Sequence, residues 1–182
     1  MTPSATASQT VGPFFSIGMA PLYQGRLFEP ESSADLVTIT GRVFDGSHEP
    51  ISDALLELWQ ADVAGQYAAR ADHGARHPGF ARVPTDADGA FRFQTLKPGR
   101  VIGPSGTLQA PHINVCVFMR GLLKPVRTRL YFPADPSHTD DPVLALVPAA
   151  RRSTLIARAG AAGTLHWDVC MQGEAETVFF EF

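Results

Sequence analysis

Short β-rich runs, each closed by a turn signal, recur along this chain and restrict its fold more than any other feature. Residues 36–44 read Leu-Val-Thr-Ile-Thr-Gly-Arg-Val-Phe and stop at Asp45-Gly46, a turn dipeptide. Residues 54–60 form a second run, and Asp86-Ala87-Asp88-Gly89 turns the chain into a third at 90–95. Runs at 111–121, 128–132, 165–169 and 177–182 bring the total to about seven or eight short strands, the pattern of a β-sandwich. The class is mainly β with little helix. Asp141 as cap with Pro142 at the first position predicts one short helix, and 151–158 suits either a short helix or a strand.

Residues 1–35 are rich in Pro, Gly and Ser and show no helical period. They read as an irregular N-terminal arm ahead of a sandwich domain spanning 36–182. The Gly12-Pro13 corner followed by Phe14-Phe15 gives the arm apolar anchors, which dock on its own domain or on a neighbour.

The chain has 182 residues, enough for one domain with a real core. A net charge of −3 without a basic block gives no support for binding nucleic acid or an anionic membrane. Cys116 and Cys170 lack metal-ligand spacing, and Cys116, inside an apolar run, reads as a small buried side chain. No run approaches the roughly 18 to 20 apolar residues of a membrane span. The first ten residues lack the basic start and apolar core of a secretory signal, so a cytoplasmic location is expected.

From His112 to Met119 the sequence alternates, with Ile113, Val115, Val117 and Met119 on one face and His112, Asn114, Cys116 and Phe118 on the other. Histidines at i and i+2 of such a strand would face the same way and grip one ion. Here the second place is Asn114, a neutral amide and a poor transition-metal ligand. There is no G-x-S-x-G elbow, P-loop, dinucleotide fingerprint or H-E-x-x-H. His73 and His77 have helical spacing but stand in a loop-like stretch. His48 and His138 sit in polar, turn-like surroundings and are expected at the surface.

Several phrases, in order, resemble the intradiol ring-cleaving dioxygenases. They are Ser8-Gln9-Thr10-Val11-Gly12-Pro13-Phe14; Gly41-Arg42-Val43-Phe44-Asp45-Gly46; Glu57-Leu58-Trp59-Gln60-Ala61-Asp62; Gly65-Gln66-Tyr67; and Leu96-Lys97-Pro98-Gly99. They continue as Ala110-Pro111-His112-Ile113-Asn114, Met119-Arg120-Gly121-Leu122, Thr128-Arg129-Leu130-Tyr131-Phe132 and the stretch from Gln172 to Phe180. Together they span nearly the whole chain, and the match is to the alpha chains of the family's two-chain members.

The resemblance implies an intradiol-dioxygenase-type β-sandwich that assembles with a related beta subunit. That partner would hold Fe(III) through two tyrosines and a His-x-His pair, and would open protocatechuate with O2 to 3-carboxymuconate. Carried onto this sequence, the ligand pattern falls on His112, Asn114, a place near Val101 and a place near Asp72. Neither tyrosine is present there, so no metal ligand is expected in this chain, and His112 reads as a hydrogen-bonded remnant. The resemblance also implies that Thr10, Gly12 and Pro13 wall the partner's pocket and bind substrate, with Arg120 reaching the same pocket in a catalytic and substrate-binding role. A guanidinium there would favour a carboxylate-bearing catechol. Two rival readings are a self-sufficient dioxygenase using Asp72, His73, His77 and His112, and a non-catalytic β-sandwich binding module.

Overall fold

The computed structural model describes residues 5–29, 36–68, 77–104, 106–161 and 163–181. In chain order its strands begin with β1 (Val37–Phe44), β2 (Leu55–Trp59), β3 (Phe80–Pro84), β4 (Ala90–Thr95), β5 (Val101–Ile102) and β6 (Leu108–Gln109). They continue with β7 (His112–Phe118), β8 (Val126–Tyr131), β9 (Arg158–Ala159), β10 (Thr164–His166) and β11 (Val169–Cys170). One sheet is built on β1, which pairs antiparallel with β4 on one edge and parallel with β10 and then β11 on the other; β9 adds to β10. The other sheet is antiparallel, in the order β3-β2-β7-β8.

The two sheets meet through alternate residues, as the period of two requires. Ile39, Val43, Phe91 and Phe93 come from the first, and Leu56, Leu58, Ile113, Val115 and Val117 from the second. Full burial of each such side chain contributes about 1.5–3 kcal/mol. A second cluster joins Ala110, Tyr131, Leu144, Val147 and Leu155 at the far end of β7 and β8. It packs helix α2 (Pro142–Leu146) and the 3-10 segment Ala149–Leu155 against the sheet. α2 starts at Asp141 with Pro142 at its first position, as the sequence predicts.

Three local expectations are corrected. The arm is not irregular throughout. Pro13–Met19 is an α-helix, designated α1 here in the arm, and a 3-10 turn follows at Ala20–Leu22. That helix is seven residues long and buries none of them fully, too short a pattern for a periodicity reading to detect. The run at 165–169 breaks at Trp167 into β10 and β11. Residues 177–181 supply only one bridge, Phe180 to Arg127, and Phe182 lies outside the described residues. Strand β3 was hidden by His77-Pro78-Gly79 before it.

Further along, the arm docks on its own sandwich. Gln24 N–H donates to Arg82 C=O at 2.9 Å and Leu27 N–H to Gln94 C=O at 3.0 Å, with Leu27 in the main core.

Candidate functional site

The turn joining β7 to β8 brings two distant phrases together. Leu122 N–H donates to Met119 C=O at 3.4 Å, with Gly121 at the third turn position and φ +91°. That left-handed conformation is glycine's own. Gly121 N–H then donates to Thr10 Oγ1 at 2.8 Å, pinning the arm to the turn. Phe15 packs on Phe118 beside it, ring centres 5.7 Å apart. Thr10, Gly12, Pro13 and Arg120 thus share one end of the antiparallel sheet.

Gly12 adopts φ −102°, which any residue can take, and nothing in the chain lies within 4 Å of where its Cβ would stand. Neither conformation nor packing inside the chain calls for glycine at that place. Pro13 opens the α-helix at its first turn, its fixed φ already helical. Phe14 and Ile17 project into solvent, 83% and 66% exposed.

Arg120 is 68% exposed on its side chain and donates from Nε to Asp53 Oδ2. Asp53 is a residue that motif reading missed. Its partner is 67 positions away, and only the register of β2 on β7 brings the two together.

The outer face of β7 presents His112, Asn114, Cys116 and Phe118, as the alternation predicts. Asn114 stands opposite Trp59 on one side and Arg129 on the other. Asn114 Nδ2 donates to the Tyr67 hydroxyl at 3.0 Å, and Tyr67 stacks on Trp59 at 5.9 Å and 9°. Burial pushes the Tyr67 phenol above its ordinary range, against the Asn114 bond and the Arg129 charge, so it is neutral near pH 7. His77 leans on the same Trp59 at 4.7 Å. A groove of about 430 Å³ runs alongside, lined by Glu57, Trp59, Phe80, Asn114, Cys116 and Arg127 among others. Cys116 is half-buried there rather than in the core, since it falls on the outward phase of β7. Both cysteines are free.

His112 is also on the outer face, yet only 1% exposed, because the second core cluster covers that end. Its Nδ1 donates to Ala110 C=O at 2.7 Å. Burial, then the Arg129 charge, pushes its pKa down to about 4, leaving a neutral imidazole. Around it lies a buried polar network of which the sequence shows only the Asp141 cap. Asp141 accepts from the N–H groups of Ala110, Val143 and Leu144 at 2.6, 2.9 and 2.7 Å, and from the Tyr131 hydroxyl at 3.3 Å. Arg129 donates to Gln109 at 2.8 Å. His138, expected at the surface, is half-buried: its ring meets Tyr131 edge-on at 5.8 Å, because the 3-10 turn Pro136–Thr139 folds back on the sheet. His48 is exposed as expected, stacked on Phe44.

A family model described as Dioxygenase matches residues 11–173. The chain belongs to the intradiol dioxygenase family. It is 43% identical to the protocatechuate 3,4-dioxygenase alpha chain of Burkholderia cepacia, over 97% of this chain and 96% of that one. The protocatechuate 3,4-dioxygenase beta chain of the same organism is 36% identical over 70% of this chain and 57% of its own length. Among solved structures, the dioxygenase domain of a carbohydrate-binding fusion protein from Streptomyces sp. SirexAA-E superposes with a TM-score of 0.65 at 25% identity, covering 94% of this chain and 98% of that one.

Intradiol dioxygenases are non-haem iron enzymes, and the described side chains on the outer face of β7 do not fit such an ion. Among the described residues no three His, Cys, Asp or Glu side chains gather as ligands. His112 is committed to a carbonyl, Asn114 is an amide engaged with a neutral phenol, and ferric iron favours anionic oxygen. Of the residues the self-sufficient reading needs, His77 sits on Trp59 and His112 in the buried network, while Asp72 and His73 lie outside the described residues.

Proposed function

We propose that this chain is the alpha subunit of a protocatechuate 3,4-dioxygenase, working with a beta subunit that holds the Fe(III). The combined enzyme opens protocatechuate with O2 to 3-carboxy-cis,cis-muconate. The single observation that carries the division of labour is the match over nearly full length to an alpha chain, joined to a β7 site whose donors do not suit iron.

In this reading Thr10, Gly12 and Pro13 form part of the wall of the partner's pocket, and Arg120 faces the substrate. Three features support it. The Thr10–Gly121 bond gathers these residues at one sheet end. The open space beside Gly12 suits close approach from outside the chain. Phe14, Ile17 and Leu22 form an exposed apolar arm of the composition that stable subunit interfaces bury. This chain's own contribution is to bind and orient: the iron in the partner supplies the oxygen chemistry, and the guanidinium of Arg120 neutralises the substrate carboxylate.

Co-expression with a beta chain tests the division. Ring cleavage should require both chains, with iron bound to the beta chain. Within that complex, Arg120→Ala should lower kcat/KM for protocatechuate about ten- to a hundredfold at unchanged iron content, the worth of one charge-assisted hydrogen bond. Ring cleavage by this chain alone would overturn the reading.

A further inference from the structure

We propose that Asp53 is a positioning residue for Arg120, and through it sets the preference for carboxylate-bearing catechols. The inference rests on the reading that Arg120 faces the substrate.

The juxtaposition is made where two paired strands end. Strands β2 and β7 run antiparallel with Leu55 opposite Phe118. Two residues beyond that pair, the turn ahead of β2 and the turn after β7 bring the Asp53 and Arg120 side chains into contact. The Asp53 side chain is 29% exposed against 68% for Arg120, so the carboxylate is the held partner and the guanidinium the reaching one. Contact is through Nε. A guanidinium has five N–H donors, four of them on the two terminal nitrogens. With Nε engaged by Asp53, the terminal edge is the one left to match a second carboxylate bidentately. At the backbone, Thr10 fixes the next residue through the Gly121 N–H. Arg120 is therefore braced twice, once by the arm and once by the turn ahead of β2.

A counter-charge and a brace predict opposite signs. If Asp53 only neutralised Arg120, its removal would strengthen attraction for an anion. As a brace, its removal frees a long side chain that must be ordered again each time substrate binds, and binding weakens.

The test uses the assembled complex with matched iron content, titrated without O2 so that no turnover occurs, with protocatechuate and with catechol, which lacks the carboxylate. Asp53→Asn should raise the Kd for protocatechuate about three- to tenfold, the cost of immobilising one rotamer-rich side chain, and shift that for catechol by less than about twofold. Asp53→Glu should recover part of the loss. Asp53→Asn combined with Arg120→Ala should bind no more weakly than Arg120→Ala alone. A lower or unchanged Kd for protocatechuate in Asp53→Asn, or equal weakening of both ligands, overturns the proposal. If Arg120→Ala weakens protocatechuate binding while Asp53→Asn does not, the brace fails and the pocket role of Arg120 stands. If Arg120→Ala changes nothing, both fall.

Discussion

Asn114 donates its side-chain amide to the phenol of Tyr67 at 3.0 Å, tying the middle of β7 to the loop after β2. In the family pattern this strand position matches the second histidine of a metal-binding pair. Here it closes a stack with Trp59 instead.

Restoring that histidine alone should not create an iron centre. In Asn114→His the first imidazole would still be buried and bonded to Ala110, and neither expected tyrosine would be supplied. The isolated variant, like the parent chain, should bind less than stoichiometric iron on metal analysis and stay colourless. A visible tyrosinate-to-iron band from either would contradict this.

Acid should weaken the fold in a window set by His112. Its folded pKa, about 4, lies below the ordinary 6.5, so between those values the unfolded chain binds the extra proton. Stability from this group is full above pH 6.5 and is lost as pH falls toward 4, a change on the order of 3 kcal/mol. Asp135 acts lower: burial alone would raise its pKa, but Lys97 and Ser137 bring it down to about 2. Urea melts from pH 7 to 4 should show the decline, and His112→Gln should flatten it.

The fold was legible where backbone period and burial agree. The runs that became β1, β4 and most of β2 and β7 bury alternate residues, so sequence alternation reported them directly, whereas β8 buries Thr128 to Tyr131 in succession and showed only as a β-rich run. The seven-residue arm helix buries none of its residues fully and is too short to show a period, while residues 177–181 have strand-like composition but only one bridge. The same division holds at the site. Thr10, Gly12, Pro13 and Arg120 came from phrases, whereas Asp53 and the Asp141 network depend on register and tertiary covering that no local window contains.

Asp141 should be among the costliest polar positions to remove. It caps α2 and also accepts from Ala110 across the chain, at 1% exposure. Asp141→Ala forfeits the cap and strands a buried N–H, a combined loss of about 2–5 kcal/mol. Chemical denaturation of Asp141→Ala and Asp141→Asn measures it, with Asn retaining part of the cap.

Gly41→Ala should fail to fold or lose more than about 3 kcal/mol. A Cβ there would run into the Trp167 carbonyl and stand 2.8 Å from the Phe91 ring, where β1 passes from β10 to β11. Soluble yield and thermal melting check this against Gly121→Ala, whose added methyl meets open space and costs only the strained φ, about 1–2 kcal/mol.

The central strand β1 also sets a schedule for synthesis. It leaves the ribosome before every other described strand, yet one edge is closed only when Thr38 meets Thr164 and Val43 meets Val169. Pairings so distant in sequence form slowly, and an uncovered strand edge templates association with other chains. A nascent chain therefore carries that edge bare until the stretch from Thr164 has been made. A product that stops short of Thr164 never covers it, so premature termination should yield an aggregating fragment rather than a smaller working protein.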